Sequence, residues 1–358
     1  MKYLVILLFS GMILLTRCND STNNLKDVKL SPKQEAELLN NRLKIYEVPS
    51  QRFNIPSDKP SSTKGRKGTT IYVNPADLED QNGKSVNGTI ALELKELTNK
   101  NDLLRANTRT NSNGKLLVSG GAYYINMTSE DKQLRLKQGK NIKVVLPKIS
   151  NETMELFYGQ RDSLGNMNWQ TKGDVFTSAN ETKSKSIKRS AKGNNDTSIF
   201  APNFPKAIDS YVEDTTKLTE MEKKELKELE KFDTEVYNII SINELGWINC
   251  DKFLDENNLI NIGYAIDPKD SITFAQFYLV YKSINSVSGE FYYSNEKTNT
   301  RYFNNTPMGY EVRLIALAFK NNEILTYKLD LTTTNNLQLP IVLKKTTTDE
   351  LNKLFDVK

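Results

Sequence analysis

The chain has 358 residues, of which 37% are hydrophobic and 26% charged, enough for about two globular domains and too apolar for a disordered protein. Forty-nine Lys and Arg against 44 Asp and Glu leave a net charge of +5, a mild excess with no steering value of its own. The complete lack of histidine and the presence of only two cysteines exclude Ser-His-Asp and Cys-His catalysis, histidine metal sites and an all-cysteine zinc site, and permit at most one disulfide.

Residues 1–18, MKYLVILLFSGMILLTRC, have the plan of a signal peptide. Lys2 supplies the positive start, and the apolar run from Leu4 to Leu15 is too short to span a bilayer but suits a signal-peptide core. The run ends at Leu15-Thr16-Arg17-Cys18, which resembles a bacterial lipobox and implies lipidation of Cys18. Arg17 stands where such motifs carry a small residue, so the alternative is a plain secretory signal with an incidental cysteine. With Cys18 lipidated, Cys250 has no disulfide partner and reads as a small buried hydrophobe. Residues 19–51 read as a polar tether. Within it Ser31-Pro32 starts a short helix, with serine at the N-cap, proline at N1 and Glu35 in the first turn.

Residues 52–170 are expected to form a first β-sandwich. In Thr89–Glu96 the apolar residues Ile90, Leu92 and Leu94 alternate with period two, the pattern of a half-buried antiparallel strand. Asn82-Gly83 and Asn113-Gly114 are central pairs suited to type I′ hairpin turns. Gly120-Gly121 reads as a turn between two strands, and Met154–Gly159 with Met167–Trp169 as a hairpin turning at Asp162–Gly165. Ser119-Gly120-Gly121 has neither the Lys-Ser/Thr nor the helix that a phosphate loop needs.

Several of these segments carry a resemblance. Gly68-Thr69-x-Ile71-x-Val73-x-Pro75, Asp80-x-x-Gly83-Lys84-x-Val86-x-Gly88, Leu94-Lys95-Glu96, Asp102-Leu103-Leu104 and Thr110–Gly121 occur in one order over about 100 residues. Together they resemble a module of poorly characterised envelope lipoproteins of Bacteroidetes, particularly flavobacteria, with a more distant similarity to ZU5-type β-sandwiches. Gly246-Trp247-Ile248-Asn249-x-Asp251 is similar to a segment of the same family. The resemblance implies a compartment and a fold, but no reaction.

Residues 171–240 read as a linker followed by a charged helix. The stretch up to Ser198 is polar and basic, with Lys172, Lys183, Lys185, Lys188, Arg189 and Lys192. A solvated linker explains it better than a lipid-phosphate contact. Nucleic-acid binding is not expected, because interleaved aromatics and a basic fold face are missing. Thr219 and Glu222 form a capping box that opens a helix to Phe232. Residues 241–358 are expected to form a second antiparallel β-sandwich. Its strands fall at Ser271–Tyr281, Gly289–Tyr293, Tyr310–Lys320 and Ile324–Leu331, with Asn321-Asn322 as a hairpin turn. The run Glu311–Phe319 is apolar enough to be buried on both faces, and Thr348 is expected to cap a short terminal helix.

The expected fold class is therefore mainly β: two antiparallel β-sandwich domains joined by a polar linker and a charged helix. The expected function is non-catalytic, a binding or assembly role in the envelope of a Bacteroidetes-type bacterium. The chain would be anchored to a membrane, with the outer one favoured, through lipid on Cys18. Its partner would be another envelope protein or a glycan, with no cofactor, metal or nucleic acid. The alternative is a carbohydrate-binding or carbohydrate-active surface protein, with Trp169, Trp247, Tyr123 and Tyr124 as the candidate ligand platform. Exposure of those four rings discriminates between the two readings.

Overall fold

Alternating apolar and polar residues become pleated sheet along most of the chain. The computed structural model describes residues 30–176, 237–294 and 300–358. The signal segment with Cys18, most of the expected linker and the capping-box helix at 219–232 lie outside the described residues. The first part holds thirteen strands: β1 (Gln51–Pro56), β2 (Ser61–Lys64), β3 (Thr70–Val73), β4 (Leu78–Asp80), β5 (Thr89–Leu97), β6 (Asn111–Ser112), β7 (Lys115–Ser129), β8 (Lys132–Leu136), β9 (Ile142–Pro147), β10 (Met154–Arg161), β11 (Met167–Phe176), β12 (Tyr237–Ile242) and β13 (Gly246–Phe253). The second holds β14 (Leu259–Ile266), β15 (Phe274–Tyr281), β16 (Val287–Tyr293), β17 (Thr300–Pro307), β18 (Glu311–Lys320), β19 (Glu323–Thr332), β20 (Gln338–Ile341) and β21 (Lys344–Lys345).

The chain is mainly β, built as two sandwiches. In the first, a nine-stranded sheet with the central order β1-β5-β7-β13-β10-β11 faces a four-stranded sheet ordered β12-β9-β3-β2. Ile90, Leu92 and Leu94 of the alternating strand point into the core between them, against Ile71, Val73 and Val144. In the second, a three-stranded sheet, β17-β14-β20, faces a five-stranded sheet, β16-β15-β18-β19-β21. Among the described residues all strand pairings are antiparallel except β14 with β20.

A third core joins the two sandwiches. Leu97, Leu117, Ala122, Phe157 and Trp169 on the outer face of the nine-stranded sheet meet Phe274, Tyr278, Ile315, Leu317 and Phe319 of the five-stranded sheet. β18 is thus buried on both sides: Val312, Leu314, Ala316 and Ala318 point into the second core, while Ile315, Leu317 and Phe319 point into the joint. The apolar run in the sequence anticipates this.

The tether does not stay solvated throughout: helix α1 (Pro32–Leu43) buries Ala36, Leu39 and Leu43 in the joint. It starts where expected, at an N-cap Ser31 that forms a capping box with Gln34. The boundary expected at 241 is displaced, because β12 pairs with β9 and β13 pairs with both β7 and β10. The chain therefore returns to the first sandwich before the second begins near residue 254, and β11 carries the first sandwich past residue 170 to Phe176. Long-range pairing of this kind leaves no local trace in sequence.

Gly120-Gly121 is a bulge, not a turn. β7 runs unbroken for 15 residues, and Ser119 and Ala122 pair with Asp251 and Asn249, so the two glycines oppose Cys250 alone. Gly121 has φ +117°, and a Cβ there would meet the Tyr123 hydroxyl at 2.7 Å. Gly121→Val combines backbone strain with a clash and is expected to cost about 3 kcal/mol, read by chemical denaturation. Asn113-Gly114 has the positive φ at both positions that type I′ demands, as does Asn321-Asn322, whereas Asn82-Gly83 has it only at Gly83. There Asp80 holds the loop instead, its carboxylate accepting from the N–H groups of Asn82 and Lys84 at 2.8 Å each.

The C-terminal helix, Thr348–Leu354, is capped one residue earlier than expected, by Thr347, which forms a capping box with Glu350. It places Leu351, Leu354, Phe355 and Val357 in the joint. Thr347→Ala removes the cap and is expected to cost about 1 kcal/mol, seen as a lowered Tm.

Candidate functional site

The register of the nine-stranded sheet sets one transverse row across its outer face. Lys95 on β5 pairs with Tyr124 on β7, Tyr124 with Trp247 on β13, Trp247 with Gly159 on β10, and Gly159 with Trp169 on β11. Gly159 has no side chain because the rings need the space: a Cβ there would lie 2.5 Å from Trp169 Cζ3. Trp169 and Trp247 therefore share a row and a face, but not a fate. The second sandwich covers the Trp169 end, where the indole is fully buried and donates Nε1–H to the carbonyl of Arg109 at 2.6 Å. Trp247 lies at the margin of that cover and stays half-buried.

The four expected platform rings separate cleanly. Trp169 and Tyr123 are fully buried and present no face to a ligand, which corrects their inclusion. Tyr123 faces the first core because odd-numbered positions of β7 after the bulge point inward. Tyr124 and Trp247 are half-buried neighbours, with ring centroids 5.1 Å apart and planes tilted 45°. Both lie on the outer face of the nine-stranded sheet.

Three features fix this pair. Arg161 lies beneath Trp247, its Cζ 5.0 Å from the ring centroid. Its guanidinium donates to the carbonyls of Ala106, Asn107 and Gly165, each at 2.8 Å, and to Thr108 Oγ1 at 2.9 Å. Burial pulls the Arg161 pKa down, opposed by the charge of Glu47. Beside Tyr124, Lys95 is paired with Glu47 at 2.7 Å. Burial raises the Tyr124 phenol pKa, reinforced by the charge of Glu93.

From Tyr124 a groove of about 540 Å³ runs between β7–β8 and the β12–β13 turn. Asn126, Gln133, Arg135, Asn243, Glu244 and Leu245 are among its lining residues. Gln133 Nε2 donates to Asn126 Oδ1 at 2.6 Å, and Arg135 is paired with Glu79 at 2.9 Å. Sequence reasoning missed Arg161 and these amides. They come from separate strands and a turn, and only the register brings them together.

Cys250 is free and fully buried, and burial with the neighbouring Asp251 charge pushes its thiol pKa strongly up. A thiolate nucleophile is disfavoured in that setting. Among the described residues no group of three or more Cys, Asp or Glu is placed to hold a metal ion. No described helix is long and apolar enough to cross a membrane. Comparisons with protein-family models, with curated proteins and with solved structures found no match.

Proposed function

We propose that the chain is a non-catalytic binding or assembly protein of the bacterial envelope, tethered through lipid on Cys18. The observation that supports binding is the outward-facing pair of Tyr124 and Trp247 beside a polar groove. Aromatic side chains left half-exposed next to convergent polar groups are the usual make-up of a recognition site. The tether rests on the signal-like N-terminus and the position of Cys18. The same aromatic pair also favours a second, narrower reading, a carbohydrate-binding surface protein.

Intact mass and cell fractionation of the full chain in a flavobacterial host, beside Cys18→Ser, test the tether. The wild type is expected to gain acyl mass and sit in membranes, and the variant to become soluble. Two soluble forms without acyl mass would overturn the anchor. Crosslinking from the Trp247 face, with Trp247→Ala as control, tests the binding role, and loss of captured envelope material in the variant is the expected result.

A further inference from the structure

We propose that the groove beside Tyr124 and Trp247 is a two-part binding site for an uncharged saccharide. This inference rests on the binding role proposed above and names the ligand class for that same site.

The cations around the site already have compensation within the protein: Arg135 is paired with Glu79, Lys95 with Glu47, and Arg161 is sunk among three backbone carbonyls and Thr108. An anionic ligand such as a phosphate, a nucleic acid or a uronate would have to break these pairs to gain a counter-charge. The carboxylate of Glu244 in the lining opposes an anion further, and the rest of the site offers apolar ring surface followed by amides. The tilted faces of Tyr124 and Trp247 suit the C–H side of a pyranose ring, as aromatic platforms favour flat apolar surfaces of limited area.

The amides supply the second part. Asn126 follows Tyr124 by two positions on β7, so it lies on the same face one sugar-length farther along. Its Oδ1 is taken by Gln133 Nε2, which also donates to the carbonyls of Met127 and Leu134. That leaves Asn126 Nδ2 as a donor and Gln133 Oε1 as an acceptor, held side by side by their mutual bond. A donor and an acceptor locked together match adjacent ring hydroxyls, each of which both gives and takes a hydrogen bond. Mobile side chains would pay ordering entropy on binding, and this pair is already ordered.

Titration of the full chain with chito-, cello-, malto- and mannohexaose, followed by tryptophan emission, tests the inference. At least one neutral hexaose is expected to shift emission from the half-exposed Trp247 and not from buried Trp169, so Trp169→Phe keeps the response. Affinity is expected to fall about tenfold in Trp247→Ala and several-fold in Asn126→Ala and Gln133→Ala. The two amides are partly exposed, so their variants report on binding rather than folding. Raised ionic strength is expected to leave affinity unchanged, whereas a polygalacturonate probe that binds better than the neutral sugars would overturn the uncharged class.

No response to any neutral hexaose at millimolar concentration, or binding that survives in both amide variants, would overturn the site. The proposed binding role fails separately. If the hexaoses stay silent while crosslinking through Trp247 still captures envelope protein, the role stands and the saccharide falls. If chromatography of the titrated sugar shows shortened products, the saccharide stands and the non-catalytic reading falls.

Discussion

Asp251→Asn is expected to stabilise the protein at neutral pH by about 2 kcal/mol and to flatten its stability-versus-pH curve. Asp251 is fully buried. Asn249 Nδ2 donates to Oδ2, while Oδ1 has no well-formed hydrogen bond. Burial raises its pKa well above the ordinary range, and hydrogen bonding from Ser119, Asn249 and the Gly120 N–H only partly opposes this. A charge on Asp251 would also act on its neighbours, raising the pKa values of the buried Cys250 thiol and Tyr123 phenol. The Tyr123 hydroxyl, also unpartnered, is pushed up by the same burial and by the nearby charges.

The sign follows from the direction of that shift. A carboxyl group whose folded pKa lies above its unfolded value of about 3.9 binds its proton more tightly in the native state. Its contribution is fully present below the unfolded value and is lost as pH rises through the folded one. Asn keeps the shape and the bond from Asn249 but has no proton to lose. The wild-type and variant curves, measured by denaturation from acid to mildly alkaline pH, should converge in acid and diverge as pH rises. Parallel curves would show that Asp251 does not titrate with folding. Subtraction also removes the opposite slope from Asp330, whose pKa Arg313 holds low.

Local regularities of this fold were legible in the sequence, and its long-range pairings were not. Ile90, Leu92 and Leu94 announce a half-buried strand because burial on one face imposes period two. Asn113-Gly114 announces its turn because few residues tolerate positive φ. By contrast, Leu245–Phe253 says nothing of its neighbours, and it lies between β7 and β10 rather than opening the second sandwich. Gly120-Gly121 fits a turn or a bulge equally well until the partner strand is known. The site was half legible for the same reason. Trp247 and Tyr124 stand out as residue types, yet their exposure, unlike that of Trp169, depends on where the second sandwich comes to rest. Arg161, Asn126 and Gln133 give no signal until register assembles them.

Arg109→Ala is expected to cost about 3 kcal/mol by loosening the joint. Arg109 comes from the first sandwich, is only 6% exposed, and reaches into the second. Its guanidinium sits 3.7 Å from the Phe291 ring centroid and 5.6 Å from that of Tyr278, and it donates to the carbonyl of Gly289 at 3.0 Å. A desolvated cation over an aromatic face contributes roughly 2 kcal/mol, and truncation also leaves a cavity and an unsatisfied carbonyl. Arg109→Lys should recover little, because an ammonium cannot lie flat on Phe291 while reaching the same oxygen. Denaturation followed by the emission of Trp169, whose indole N–H is bonded to the Arg109 carbonyl, checks this directly. A loss below about 1 kcal/mol would mean that the apolar joint alone holds the sandwiches together. The consequence extends to the proposed site. Arg161, which supports Trp247, is anchored on Ala106, Asn107 and Thr108, immediately before Arg109 in the chain. Loosening Arg109 should therefore also raise the exposure of Trp247 to a neutral quencher in the folded protein, whereas Asp251→Asn should leave it unchanged.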